Sequence, residues 1–233
     1  MSFITELGQA YDAGNEAAEK FLLEAYRSER ASEEPAFRVT VCNELGSMYR
    51  AEARFPESYQ FFTEAMEYAA SCYGVDSLRY GTILMNRAGT SRMAGDVDKA
   101  IVDFESSLKI VSRHENCGPV LASTWNNLGL AYLAAERLED AEQALLQGVE
   151  IASEAGETTM TGTGLINLAS VCIRLGKNEE ALKYAERAEL FYAGDTLSSN
   201  ARYLRQMTEM LRNALANPTD PSRSRDGNGE LYS

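Results

Sequence analysis

Small and large apolar residues recur along this chain in a fixed order. One block reads Trp125-Asn126-Asn127-Leu128-Gly129-Leu130-Ala131-Tyr132, followed by Ala141, Leu145 and Gly148. Upstream, Leu45-Gly46, Tyr49, Ser58, Phe62 and Ala65 keep the same spacing, and so do Arg87-Ala88, Ser91, Ala100, Phe104 and Ser107. Downstream come Leu168-Ala169, Cys172, Ala181, Ala185 and Ala188, and a fainter copy opens the chain with Leu7-Gly8, Tyr11, Ala18, Leu22 and Ala25. From Ser58 through Ala100 and Ala141 to Ala181 the steps are 42, 41 and 40 residues. Within each copy the apolar positions fall three and four apart, the helical period. Each copy therefore reads as two helices, A and B. Gly95 and Gly176 suit the turn between them, where a C′ glycine takes the left-handed conformation. Pro56 suits the start of a helix B, where no backbone N–H is needed. One such pair cannot bury its apolar faces, whereas stacked pairs can.

The Leu-Gly, Tyr, Ala, Phe, Ala order resembles the tetratricopeptide repeat. The family's usual period is about 34 residues. The longer period here assigns extra residues to the helices and to the loop from helix B to the next helix A. With an asparagine just before the Leu-Gly pair, it is most similar to the kinesin-light-chain-like branch. The resemblance covers about residues 1–193. The expected fold is all-α: a right-handed α-α solenoid of about five helix-turn-helix repeats, over residues 1–34, 36–74, 76–115, 119–155 and 158–193. A single solenoid domain over 1–216 is expected to end in a capping helix, 195–216. That helix would start after the Gly194-Asp195-Thr196 stop and cap. It would bury a stripe of Leu197, Ala201, Leu204, Met207, Leu211 and Ala214. Residues 217–233 turn to Pro, Ser, Arg, Asp, Gly and Asn, and read as a disordered tail.

Composition narrows the partners. The 233 residues carry 22 Lys+Arg against 35 Asp+Glu, a net charge of −13. Nucleic acid and anionic membranes call for a cationic surface, so neither is expected as the main partner. No apolar run approaches the ~18 residues of a membrane span. The N-terminal 19 residues hold no Lys or Arg, so the charged start of a secretory signal is missing there. Cys42, Cys72, Cys117 and Cys172 include no Cys-x-x-Cys pair, and reduced thiols in a cytoplasmic protein are expected.

Catalytic and metal motifs find little support. His114 is the sole histidine, and with Cys117 it makes only two candidate ligands in a loop, short of a metal site. Gly176-Lys177 lacks the rest of a phosphate loop. The chain contains no Gly-x-Ser-x-Gly elbow. Acid pairs such as Glu139-Asp140 and Glu179-Glu180 open B helices, where they complement the helix dipole. No cofactor and no metal are expected, and an enzyme is the least expected class.

The face of helix A opposite its core stripe is more informative. By the 100° helical step it holds Thr40, Glu44, Ser47 and Ala51, then Thr82, Asn86, Gly89 and Met93. The next two copies place Ser123, Asn127, Leu130 and Ala134, then Thr163, Asn167, Ser170 and Arg174, on the same face. One ladder is of short hydroxyls: Thr40, Thr82, Ser123 and Thr163. A second is of amides: Asn86, Asn127 and Asn167, with Glu44 in first place. An amide both donates and accepts, so a row of them can hold an extended peptide by its main chain. The resemblance points the same way, because the similar branch uses such an asparagine row in its concave groove. Bracing of neighbouring helices is the competing role. The A helices of the four full copies carry Arg38, Arg50, Arg79, Arg87, Arg92 and Arg174 against Glu44 and Glu52. Their lining is thus less negative than the acidic B helices, and a partner segment with acidic residues would suit it.

The sequence therefore favours a cytoplasmic, non-enzymatic adaptor that binds a protein or peptide segment in a concave groove. A self-associating scaffold, as a homodimer, and a regulatory subunit of an enzyme or transcription factor are the rival readings.

Overall fold

The computed structural model describes residues 2–193 and 198–216. Among these residues the chain is helical and contains no strand. It divides into two compact units, Met1–Glu157 and Thr158–Ser233. Unit 1 runs α1 (Phe3–Asp12), α2 (Asn15–Arg27), α3 (Glu29–Glu33), α4 (Pro35–Ala51), α5 (Phe55–Tyr73), α6 (Leu78–Met93), α7 (Val97–Val111), α8 (Gly118–Ala134) and α9 (Leu138–Glu154). Unit 2 holds α10 (Thr158–Arg174), α11 (Asn178–Glu189), a 3-10 turn (Leu190–Tyr192) and α12 (Ser199–Ala216). The pairs α1/α2, α4/α5, α6/α7, α8/α9 and α10/α11 are the A and B helices of the five repeats.

One element was not foreseen. The short α3 sits between the first two pairs because Ser28 caps it, its hydroxyl accepting from the Ala31 N–H at 3.2 Å. Ala31 is buried, and Pro35 then opens α4 at a position that lacks only a redundant donor. At the other end α12 packs on α11 and buries Ala201, Leu204, Met207 and Leu211. The stop and cap assigned to Gly194-Asp195-Thr196, Leu197 at the head of the stripe, and the tail 217–233 lie outside the described residues.

The repeat motif marks the core. Leu22, Phe62, Phe104, Leu145 and Ala185 occupy one position of helix B in successive copies, and each is fully buried. Helix A meets this side chain with a small residue. A Cβ on Gly46 would lie 2.8 Å from the Phe62 ring, and one on Gly129 would lie 2.6 Å from Leu145 Cγ. One departure from the motif is explained by charge. Arg87 stands where the other A helices carry leucine, and its Nη2 pairs with Asp103 on α7 at 3.0 Å. Where the first core position of helix B is serine instead of alanine, the hydroxyl is used. Ser58 Oγ donates to the Gly46 carbonyl at 2.7 Å and shares a 2.9 Å hydrogen bond with the Thr90 hydroxyl of α6. Tyr132, placed on the core stripe by its spacing, is only half-buried. It lies over α7, its hydroxyl donating to Glu105 at 2.9 Å, and Arg137 covers its ring.

Helix A ends alike in four copies. The N–H groups of Arg54, Asp96, Arg137 and Lys177 reach back to the carbonyls of Tyr49, Ser91, Tyr132 and Cys172 at 2.8–2.9 Å. This six-to-one bond defines the Schellman motif and needs a left-handed residue just before the donor. Gly95 and Gly176 supply it at φ 88° and 74°, but Ala53 and Glu136 are forced into it at 56° and 59°. A side chain in that conformation costs roughly 1–2 kcal/mol, against about 0.5–1 kcal/mol of extra chain entropy that glycine loses on folding. Ala53→Gly is thus expected to stabilise unit 1 by about 0.5–1 kcal/mol, read as a higher melting temperature. A lower one would show that the turn is not strained.

Candidate functional site

Within unit 1 the A helices of the full repeats touch in turn: α4 meets α6, and α6 meets α8. Their outward sides form one continuous inner face. Between α4 and α6 this face opens into a depression of about 470 Å³, lined by Val39, Thr40, Asn43, Glu44, Leu78, Arg79, Thr82 and Ile83. Three of the residues picked out by spacing, Thr40, Glu44 and Thr82, line it together. A larger dip of about 720 Å³ over Tyr59, Glu64 and Tyr68 is formed by α5 alone and lacks a second wall.

The two polar ladders resolve differently. The hydroxyl ladder is largely turned back on its own helices. Thr40 Oγ1 donates to the Ala36 carbonyl at 3.3 Å, and Thr82 Oγ1 to that of Leu78 at 2.8 Å. Each hydroxyl keeps acceptor capacity after that bond. The amide ladder divides in two. Asn86 Nδ2 donates to Asn43 Oδ1 on α4 at 3.0 Å, so this amide stitches two repeats together. Asn127 Nδ2 instead donates to the Ser123 carbonyl of its own helix at 2.9 Å. Its amide oxygen accepts nothing among the described residues. Bracing therefore applies at Asn86 and not at Asn127. Asn43 was missed in the sequence, which put Glu44 in the first place of the ladder. The signal was there, since Asn43 and Asn126 form a second column one residue before Glu44 and Asn127.

The charged residues of this face are unusual. Burial pushes the Glu44 carboxyl above its ordinary range, with the Asn43 amide opposing through a 3.4 Å contact. Arg50 and Arg92 are both half-buried, and burial lowers the pKa of each; the charge of Arg92 adds to the effect on Arg50. Arg50 Nη1 donates to the Asn86 carbonyl of α6 at 3.0 Å. Ser47, Ser123 and Leu130 are half-buried on the same face, while Met93 is exposed. Arg38 and Arg87, counted with the lining by sequence, belong elsewhere. They pair with Glu64 and Asp103 on the B helices at 2.7 and 3.0 Å.

In unit 2 the corresponding residues lie on α10. Thr163 Oγ1 is 3.3 Å from the Tyr192 hydroxyl, and Ser170 Oγ is 3.2 Å from that of Tyr203. Asn167 is half-buried and Arg174 exposed. The 3-10 turn and α12 thus reach part of the face that α10 was expected to offer a ligand. His114 has a local task in unit 1. Its Nε2 lies 2.8 Å from the Asp76 carbonyl, beside an Arg113–Asp76 ion pair at 3.3 Å, and ties two interrepeat loops together. Among the described residues no helix is long and apolar enough to cross a membrane.

The fold and face are those of a helical repeat scaffold, and the comparisons name its family. The tetratricopeptide repeat model matches residues 38–113 and 120–189. The chain belongs to the tetratricopeptide repeat family, a protein-interaction repeat scaffold. Among solved structures it is similar to a Podosopora anserina kinesin light chain with nearly identical TPR-like repeats. That match has a TM-score of 0.66 and 19% identity over 79% of this chain and 90% of that one. It is also similar to BtubC (BKLC) from P. vanneervenii, with a TM-score of 0.60 and 18% identity over 97% and 84% of the two chains. The apo form of RapI aligns with a TM-score of 0.68 and 14% identity over 93% and 82%. No curated protein matches the sequence.

Two measurements probe this face. A double-mutant cycle of Asn43→Ala and Asn86→Ala is expected to give a coupling of about 0.5–1.5 kcal/mol in unfolding free energy. Additive losses would mean that the amide pair carries no brace. Glu44→Gln is expected to raise the melting temperature at neutral pH. A carboxyl whose folded pKa is raised loses stability for the fold as pH climbs from the ordinary carboxylate range through the raised value. The gain should therefore vanish below about pH 4. An equal effect at pH 4 and pH 7 would sink the assignment.

Proposed function

We propose that this protein is a non-enzymatic adaptor whose inner helix A face holds an extended segment of another protein. In unit 1 the contact residues would be Thr40, Glu44, Ser47, Arg50, Thr82, Asn86, Arg92, Met93, Ser123, Asn127 and Leu130. Thr163, Asn167, Ser170 and Arg174 would do the same on α10. One observation carries the reading. Among the described residues the Asn127 amide joins no two helices and its oxygen accepts no hydrogen bond, on a face that also holds a two-walled depression. An extended main chain offers the N–H groups that such an oxygen accepts. Four free cysteines, three of them buried, support placing the protein in the reducing cytoplasm.

The test sets melting against capture. Asn127→Ala should leave the melting temperature almost unchanged, because the side chain bonds only within its own helix. Loss of one hydrogen bond to the partner should weaken capture from a lysate of the source cell by about 5- to 150-fold, equivalent to about 1–3 kcal/mol. Thr82→Arg, which fills the depression, should abolish capture. Normal capture by both variants would overturn the groove reading.

A further inference from the structure

The depression between α4 and α6 holds a negative charge that the fold leaves unanswered. Glu44 stands half-buried in it and makes no ion pair among the described residues. It touches only the neutral Asn43 amide, at 3.4 Å, and burial holds its carboxyl above the ordinary range. The half-buried acids Glu19, Glu64 and Asp103 each face an arginine instead, Arg54, Arg38 and Arg87 in turn. A partly desolvated carboxylate without a counter-charge is costly.

The nearby arginines are turned to other partners. Arg38 is taken by Glu64, and Arg50, further along α4, bonds the Asn86 carbonyl. Arg79 is the one cation among the described residues that line the depression, and its guanidinium lies over the Tyr73 ring at 5.1 Å. The hydroxyls are committed as well. Thr40 and Thr82 have given their protons to the carbonyls of Ala36 and Leu78. A hydroxyl in that state can only accept. Asn43 is engaged at both ends, donating to Glu44 and accepting from Asn86. The hydrogen-bonding capacity left in the depression is thus chiefly acceptor: one carboxylate and two hydroxyl oxygens. Val39, Leu78 and Ile83 make the rest of the lining apolar.

We propose that this depression seats a lysine side chain of the bound segment, its ammonium held by Glu44 and by the hydroxyl oxygens of Thr40 and Thr82. This rests on the groove reading and names a ligand chemistry for one end of it. An ammonium carries three donors and no acceptor, which matches three acceptor groups. Its four-carbon stem suits the apolar part of the lining. The flat five-donor fork of arginine is better matched to a single two-oxygen face. The net charge of −13 draws a cationic segment toward the chain. The excess of arginines along the A helices pointed to an acidic ligand, but at this position the structure presents the opposite sign.

The test uses the full chain and three fluorescent decapeptides: alternating Lys-Ala, alternating acetyllysine-Ala and alternating Arg-Ala. Binding is followed by anisotropy. The Lys-Ala peptide should bind at least ~10-fold tighter than its acetylated form, which keeps the stem and loses the charge. Glu44→Gln should remove most of that preference without lowering the melting temperature, so the loss is not one of folding. Glu150→Gln, which removes an equal charge from the exposed side of α9, should leave the preference intact. An equal loss in Glu150→Gln would show that net charge, and not a seat, binds the peptide. Equal binding of the Lys and acetyllysine peptides, no binding of either, or tighter binding of the Arg peptide would also overturn the seat. If Asn127→Ala and Thr82→Arg weaken capture from lysate while Glu44→Gln does not, the groove stands and the lysine seat falls. If none of the three changes capture, both fall.

Discussion

The structure depends on the close approach of two helices within each repeat. Helix B sends one bulky side chain, Phe62, Phe104 or Leu145, into helix A, which meets it with a residue no larger than alanine. At Gly46 and Gly129 not even a methyl group would fit without displacing the ring or branch it faces. Packing at this density makes each added or deleted carbon felt. This position is completely buried in every copy, including Leu22 in the first and Ala185 in the copy where it shrinks. Because the contact recurs about every 41 residues, neighbouring pairs meet in nearly the same way. The inner face of unit 1 follows from that repetition.

Most polar groups that enter this apolar scheme have a partner built in. Ser58 and Ser107 each donate to a helix A carbonyl at 2.7 Å, and Arg87 is admitted to a leucine position because Asp103 faces it. Burying these groups without partners would cost more than the bonds return. The same discipline isolates the exceptions. Asn127, Arg50 and Arg92 lie on the inner face with hydrogen-bonding capacity unspent, next to repeats in which equivalent or neighbouring groups are satisfied. Unspent capacity on a half-buried face is what a ligand can use. The family resemblance alone does not select these three residues.

The Asn86–Asn43 stitch and the self-bonded Asn127 show that one column of a repeat can serve two purposes. Asn86 holds α6 against α4, whereas its counterpart one repeat later makes no interhelical bond. Thr163 and Ser170 add a third outcome, since tyrosines of the 3-10 turn and of α12 reach them within unit 2. Repeats of like sequence thus diverge in role through their neighbours.

The helices, their pairing and the core were legible in the sequence. Leu45-Gly46, Phe62, Phe104 and Leu145 mark buried contacts because small-against-large packing within a helix pair is a local matter, repeated until its period shows. The cap stripe of Ala201, Leu204, Met207 and Leu211 was legible for the same reason. The inner face was legible only as a column of residue types. Which amide braces, which is left open and which arginine lacks a counter-ion were decided by tertiary structure. Those outcomes depend on how one helix A slides against the next. A shift of a single residue position brings Asn43, not Glu44, opposite Asn86. Gly89 on the facing helix leaves the room in which Arg50 reaches its carbonyl. The repeat period specifies how often such contacts recur, but side chains on separate helices meet only after the stack has formed.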